Sequence, residues 1–282
     1  MLALLAAALY AVNIPFSKLL LERVQPVFMA SLLYFGAGAG MALGGALHRE
    51  TGEAPLTRRD LPYTAGMILL DIAAPICLML GLESASPANV SLLGNFEIVA
   101  TSLIARFAFR EHISRRMWFS LALITAASAL LSFEGAESLR FSRGSLFVAA
   151  ACVCWGLENN CTRMLSDKST RQIVLLKGVF SGLGSLIVAL VSGESAPPLL
   201  YAVLALALGC VSYGLSIFFY VRAQRDLGAA RTSAYYSVNP FIGSLLSLAV
   251  FGTALAKTYW LALAVMALGT VLASKDTLPQ RS

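Results

Sequence analysis

Ten windows of about 20 mostly apolar residues run through the chain, at roughly 2–21, 27–47, 62–82, 87–109, 115–133, 144–164, 171–192, 198–221, 230–252 and 258–274. About 20 residues of helix cross the hydrocarbon core of a bilayer. Strands of a membrane barrel would instead be about 10 residues long with alternating polarity, and nothing here alternates that way. The windows therefore predict an all-α membrane protein of ten transmembrane helices. Composition agrees: 58% of residues are hydrophobic and 13% charged, about half the charged share of a soluble domain. A water-soluble core cannot hide that much apolar surface, so a soluble enzyme is excluded. The longest connection, about 48–61, holds His48, Arg49, Glu50, Pro55, Arg58, Arg59 and Asp60 and leaves no room for a separate soluble domain. Met1 to Ser17 is uncharged and lacks a basic leader, so it reads as the first membrane helix rather than a signal peptide.

The net charge of +6 comes from basic residues in short runs between the apolar windows. Such runs orient a membrane protein and do not bind nucleic acid. With the N-terminus in the cytoplasm, 15 Lys and Arg residues fall inside, 5 fall outside, and Lys177 lies within a window. That bias predicts cytoplasmic N- and C-termini and a multi-pass protein of the plasma membrane, the bacterial inner membrane. The densest run, Arg106, Arg110, Glu111, Arg115 and Arg116, belongs to the same orientation signal. Cys77, Cys152, Cys154, Cys161 and Cys210 all lie in apolar windows without nearby histidine. They read as buried thiols that pack as small hydrophobes, not as a metal site or disulfide framework.

The chain repeats itself. At an offset of 145, Tyr10-Ala11-Val12-Asn13-Ile14-Pro15-Phe16-Ser17-Lys18 lies against Trp155-Gly156-Leu157-Glu158-Asn159-Asn160-Cys161-Thr162-Arg163. Aromatic meets aromatic, hydroxyl meets hydroxyl and cation meets cation. The fourth and ninth windows align near an offset of 143, which sets Glu97 against Pro240. The halves, 1–134 and 143–275, hold five windows each and meet at a polar loop with Glu134, Gly135, Glu137 and Arg140. Five is odd, so the halves cross the membrane in opposite senses: a 5+5 inverted repeat.

Polar groups inside the apolar windows are the candidate site. A carboxylate at mid-membrane costs about 2.5–3.5 kcal/mol on insertion scales. Glu97, about ten residues into the fourth window, is expected to face a cavity, where it would contact a substrate amine or carry a proton. In Glu158-Asn159-Asn160 three polar residues cover most of a helical turn. One therefore holds helices together, while Glu158 or Asn159 lines the cavity. Asn13 sits beside Pro15, which frees a backbone carbonyl near Ala11. Asp71 lies mid-window, four residues before Pro75. Lys177 is expected to snorkel or pair internally, and an Asp71–Lys177 contact is open. Tyr235, Tyr236 and Asn239 precede or adjoin Pro240 and, with Trp155, suit a cavity for partly apolar substrates. Trp118 and Trp260, near window ends, read as interface anchors. Gly36, Gly40 and Gly44 form a small-residue stripe for close helix approach. His48 and His112 lie too far apart to suggest a metal pair.

The aromatic-small-x-polar entry of each half (Tyr10-Ala11-Val12-Asn13 and Trp155-Gly156-Leu157-Glu158) and the Asn239-Pro240 pair resemble the ten-helix drug/metabolite transporter superfamily, in the branch with two EamA domains. The resemblance covers essentially the whole chain. Where the family's first half usually ends its fourth span with Gly-Glu, this chain has Arg110-Glu111, and Glu97 replaces the usual proline. The resemblance implies two EamA-like five-helix repeats around a central cavity with alternating access. It also implies secondary export of small organic metabolites, amino acids or related compounds first among them. No G-x-x-x-x-G-K-[ST] segment occurs, so a gradient rather than ATP is expected to drive transport. The expected partners are a small-molecule substrate, the lipid bilayer and protons as candidate coupling ions, with no cofactor, no metal and no nucleic acid, in a monomer or weak homodimer. A membrane-embedded enzyme or a non-transporting scaffold is the alternative. The first would need a clustered nucleophile–base or metal set, which the sequence does not place within its windows.

Overall fold

The computed structural model describes residues 1–47, 53–84, 93–94, 96–132, 143–252 and 257–275. The start of the fourth apolar window and the boundary loop between the halves lie outside them. The described residues are helical, with no strand beyond one isolated bridge between Ala54 and Lys168. We label the helices α1 (Leu2–Ala11), α2 (Asn13–Leu20), α3 (Pro26–Leu47), α4 (Leu61–Ser84), α5 (Phe96–Phe107), α6 (Arg115–Ser132) and α7 (Arg143–Leu165). They continue with α8 (Thr170–Leu176), α9 (Gly182–Val191), α10 (Leu199–Gly209), α11 (Ser216–Tyr236), α12 (Asn239–Phe251) and α13 (Lys257–Ser274). Two π-helical turns join pieces of what are otherwise continuous rods: Lys177–Ser181 between α8 and α9, and Cys210–Leu215 between α10 and α11.

Among the described residues, four stretches are long and apolar enough to cross a membrane: Pro26–Gly44, Arg58–Leu78, Thr170–Val191 and Leu199–Phe251, with shorter apolar helices at Leu2–Ser17 and Thr258–Ala273. The Leu199–Phe251 stretch holds 53 residues. Straight, it would reach about 80 Å, more than twice a hydrocarbon core, so it has to turn back. The turn is at Gly228 (φ 80°, ψ 175°), a conformation essentially reserved for glycine. The Glu111 carboxylate lies against it and accepts the backbone N–H groups of Ala229 (2.9 Å) and Ala230 (3.3 Å). These donors open the helical run to Tyr236, and the carboxylate caps them as an N-cap side chain would. The sequence places a connection between 221 and 230. That connection falls at this turn: Gly228 separates two helical pieces within Ser216–Tyr236, and a further break follows at Ser237 and Val238.

Side-chain size is sorted as expected for packing in lipid. Ala3, Ala6, Ala7 and Ala11 of α1 are buried, whereas Leu69, Leu199 and Trp260 face outward. With lipid outside there is no gain in burying leucine, so small residues take the contacts and let backbones approach. Gly36 and Gly40 of α3 lie directly against the backbone and side chain of Leu206 and Cys210, with no room for a Cβ, while Gly44 faces open space. The predicted stripe thus works over two of its three glycines. Among the five cysteines only Cys152 is fully buried; the other four are half-buried, and all are free thiols.

The main packing partners are α4 with α7, α6 with α13, α1 with α11, α5 with α7, and α3 with α10 and the π turn after it. Each joins a helix from before the boundary loop to one from after it. At one end of the molecule, polar loops lock together. Glu53 accepts the Thr170 N–H (2.8 Å) and pairs with Arg225 (2.8 Å) and Arg222 (3.8 Å). Beside it Arg225 donates to the carbonyls of Ser166 (2.6 Å) and Lys168 (2.9 Å), and Lys168 pairs with Asp60 at 3.4 Å. Elsewhere Glu194 receives the N–H groups of Val27 and Phe28, and Gln25 that of Ser195.

Candidate transport cavity

Helices from both parts of the chain enclose a cavity of about 490 Å³. Of the residues singled out from sequence, Asp71 on α4, Glu97 on α5, Trp155, Glu158 and Asn159 on α7, Tyr236 at the end of α11 and Asn239 at the start of α12 all line it. Two do not. Asn13 turns along its own helix and accepts the Ser17 hydroxyl at 2.7 Å. Tyr235 packs against the apolar cluster that includes Phe241 and Met266. Neighbours on a helix point about 100° apart, and here Tyr236 turns to the cavity while Tyr235 turns to that cluster.

One wall carries a buried ion cluster. Lys177 Nζ lies 2.6 Å from Glu158 Oε1 and 3.3 Å from Asp71 Oδ2, and all three side chains are almost fully buried. Glu158 also accepts the Thr162 hydroxyl, and Asp71 is hydrogen-bonded by Tyr34. Lys177 stands at the first position of a π turn, a local distortion often found at functional sites. The backbone of Gly178 there lies against Gly38 of α3, again with no room for a Cβ. Close backbone contact fixes the rod, and the π turn carries the lysine toward the two acids. The internal pairing expected for Lys177 is what the structure contains, and the open Asp71–Lys177 contact is made.

Glu97 forms the second polar centre. It lies near the start of α5. Asn159 Nδ2 donates to it at 3.1 Å and is also 3.3 Å from the Thr101 hydroxyl. Asn160, one residue on, is buried and donates to the carbonyls of Thr101 (3.0 Å) and Gly156 (2.8 Å). The polar triplet therefore divides as its helical spread requires. Glu158 and Asn159 face the cavity, and Asn160 ties α7 to α5.

The rest of the lining is aromatic. Tyr34, Tyr213, Tyr10, Tyr236 and Tyr220 form a chain of ring contacts, with successive centroids 5.3, 5.6, 5.6 and 4.8 Å apart. All five line the cavity. The Tyr236 hydroxyl is 3.3 Å from the Ser216 Oγ, which itself donates to the Ala6 carbonyl. Sequence reasoning missed Tyr34, and took Tyr10 only as half of a repeat. Their common signal is a lone tyrosine in an apolar helix, which by itself also describes ordinary packing. Among the described residues no group of His, Cys, Asp and Glu could hold a metal ion.

The arrangement can bind a small polar-apolar molecule between the two parts of the chain. Comparison with known proteins bears on which kind of protein does so. An uncharacterized transporter of Methanothermobacter thermautotrophicus is 25% identical over 262 residues, covering 86% of this chain and 76% of its own. The uncharacterized transporter YyaM of Bacillus subtilis is 23% identical over 205 residues, with 69% and 66% covered. A solved crystal structure superposes with a TM-score of 0.80 over 97% of both chains at 17% identity, which establishes a shared fold. The model of the EamA-like transporter family matches twice, over residues 1–133 and 142–275. With both halves of the chain matched in turn, this multi-pass membrane protein is a member of the EamA-like transporter family.

Proposed function

We propose that the protein is a secondary carrier that exports small organic metabolites, amino acids or related compounds, from the cytoplasm by alternating access through this cavity. The carrying observation is the composition of the cavity wall. Tyr10, Asp71 and Glu97 come from the first half and Glu158, Lys177 and Tyr236 from the second, so a movement of one half against the other would open or close the site. A cavity of about 490 Å³ falls within the range of about 300–1,000 Å³ usual for small-molecule sites.

A ten-span, 5+5 inverted topology with both termini in the cytoplasm, in a bacterial inner membrane, is part of the same reading. Packing supports it. α4 against α7 and α1 against α11 become the same pair when the halves are exchanged, as do α5 against α7 and α1 against α12. A two-fold relation between the halves accounts for that exchange. The loops that lock through Glu53, Lys168 and Arg225 also belong to the side with the Lys and Arg excess. Glu97 is the candidate for proton coupling, since Glu158 is held in the ion cluster.

The test is a counterflow screen of the purified protein in proteoliposomes across metabolite classes. Exchange of an amino acid or related compound is the expected result. Absence of exchange for every class, with the protein folded, removes the reading. Glu97→Gln is expected to slow transport and flatten its pH dependence; an unchanged rate and pH profile would make Glu97 a structural residue.

A further inference from the structure

We infer that the cavity selects a substrate with net positive charge and no carboxylate: a primary amine on an aromatic or apolar body, with Glu97 as its counter-charge. The inference rests on the reading of this cavity as the transport site and narrows its substrate class. Charge carries the first part. The described lining contains three carboxylates, Asp71, Glu97 and Glu158, and one cation, Lys177, with no arginine or histidine. Lys177 is spent inside the wall, between Glu158 at 2.6 Å and Asp71 at 3.3 Å, and is only 5% exposed. A zwitterionic amino acid would bring its carboxylate into a cavity whose one ammonium is already shared by two acids. An amine without that carboxylate meets no such conflict.

Glu97 supplies the second part. A carboxylate offers about four acceptor positions. Among the described side chains one donor, Asn159 Nδ2 at 3.1 Å, is in place. The remaining acceptor capacity suits an ammonium, which carries three N–H donors. The third part is the aromatic wall. Tyr10, Tyr213, Tyr220, Tyr236 and Trp155 present rings around the same space. Ring faces attract cations, and the same rings accommodate an apolar or aromatic body. A wall with three acids, one committed lysine and this many rings is complementary to an arylalkylamine and not to its amino-acid counterpart.

The experiment is counterflow in proteoliposomes of the full chain, with phenethylamine and tyramine run beside phenylalanine and tyrosine. The amines are expected to exchange at least about tenfold faster, since a buried carboxylate left without a donor costs at least that much. Glu97→Gln is expected to slow exchange of the amines at least about tenfold and Glu97→Asp to keep it, with a monodisperse elution profile confirming that each variant is folded. Amino acids exchanging as fast as the amines would overturn the inference and leave the carrier reading standing. So would exchange of an anionic or neutral metabolite with both amines inert. Amine exchange as fast in Glu97→Gln as in wild type would overturn the role of Glu97 as counter-charge. Exchange of nothing, across all classes, overturns both readings.

Discussion

Lys177 shows how much a single side chain holds in place here. Its ammonium is the shared partner of two carboxylates that are themselves nearly fully buried, Asp71 and Glu158. Removing one member of such a set leaves an uncompensated charge and costs about 3–5 kcal/mol. Lys177→Met is therefore expected to lower the thermal midpoint in detergent sharply. The triple variant Lys177→Met, Asp71→Asn, Glu158→Gln, which removes all three charges together, is expected to recover most of that loss. If the single variant melts at the wild-type temperature, the cluster contributes no stability and its contacts are incidental. The sequence marks these three residues as costly in lipid, but separations of 106 residues between Asp71 and Lys177 and 87 between Asp71 and Glu158 hide that they form one cluster.

Breaks in the helices, more than the helices, shape the cavity. α11 bends at Gly228, where the chain adopts φ 80° and the Glu111 carboxylate fills the space a side chain would need. Gly228→Ala meets strain of about 1–3 kcal/mol from the backbone alone, before any displacement of Glu111. A thermal midpoint well below wild type is the expected outcome. Glu111→Ala removes the cap on Ala229 and Ala230 and is expected to cost less, about 0.5–2 kcal/mol; the two variants compared by detergent thermal melts separate strain from capping. The later break at Ser237 and Val238 leaves Tyr236 and Asn239 on either side of it, both facing the cavity. The π turns do similar work, placing Lys177 and Tyr213 on the lining. Hydrophobic windows of about 20 residues locate helices well, but they carry no sign of a one-residue insertion in the hydrogen-bond ladder.

Across the whole molecule, the halves are joined at one end by the Glu53 cluster. Partial burial pushes the Glu53 carboxyl up, but the Thr170 N–H and the Arg225 and Arg222 guanidinium groups outweigh it and hold the group below its ordinary value. A depressed folded-state value means that the ionised form stabilises the fold above the unfolded carboxyl's range, about 4.3. That contribution is lost as pH falls through the folded-state value. At neutral pH, Glu53→Gln is accordingly expected to melt below wild type. The gap between the two should shrink as pH falls below about 4, which a series of detergent thermal melts measures. A gap that stays constant into acid would mean that the Glu53 charge does not contribute. The same lock ties loops from both halves, so under the alternating access proposed above its strength also bears on how readily that end opens.

Several properties were legible in the residues themselves. Apolar length excluded a soluble fold, because no aqueous core can cover so much hydrocarbon. The aligned entries at Tyr10 and Trp155 showed a chain made of two related halves, and the cost of a charge in lipid singled out Asp71, Glu97 and Glu158. Only the tertiary structure decided which polar residues share a space. Asn13 turned along its own helix to accept the Ser17 hydroxyl, and Tyr235 turned to the apolar core while its neighbour Tyr236 turned to the cavity. Tyr34 and Tyr10 entered the site through packing, and Lys177 met its two acids through a π turn. The division has a physical cause. Burial in lipid is a property of composition over about 20 residues, which a sequence displays directly. The direction of one side chain depends on a bend or an extra residue in one helical turn, and that is set by the helices packed against it.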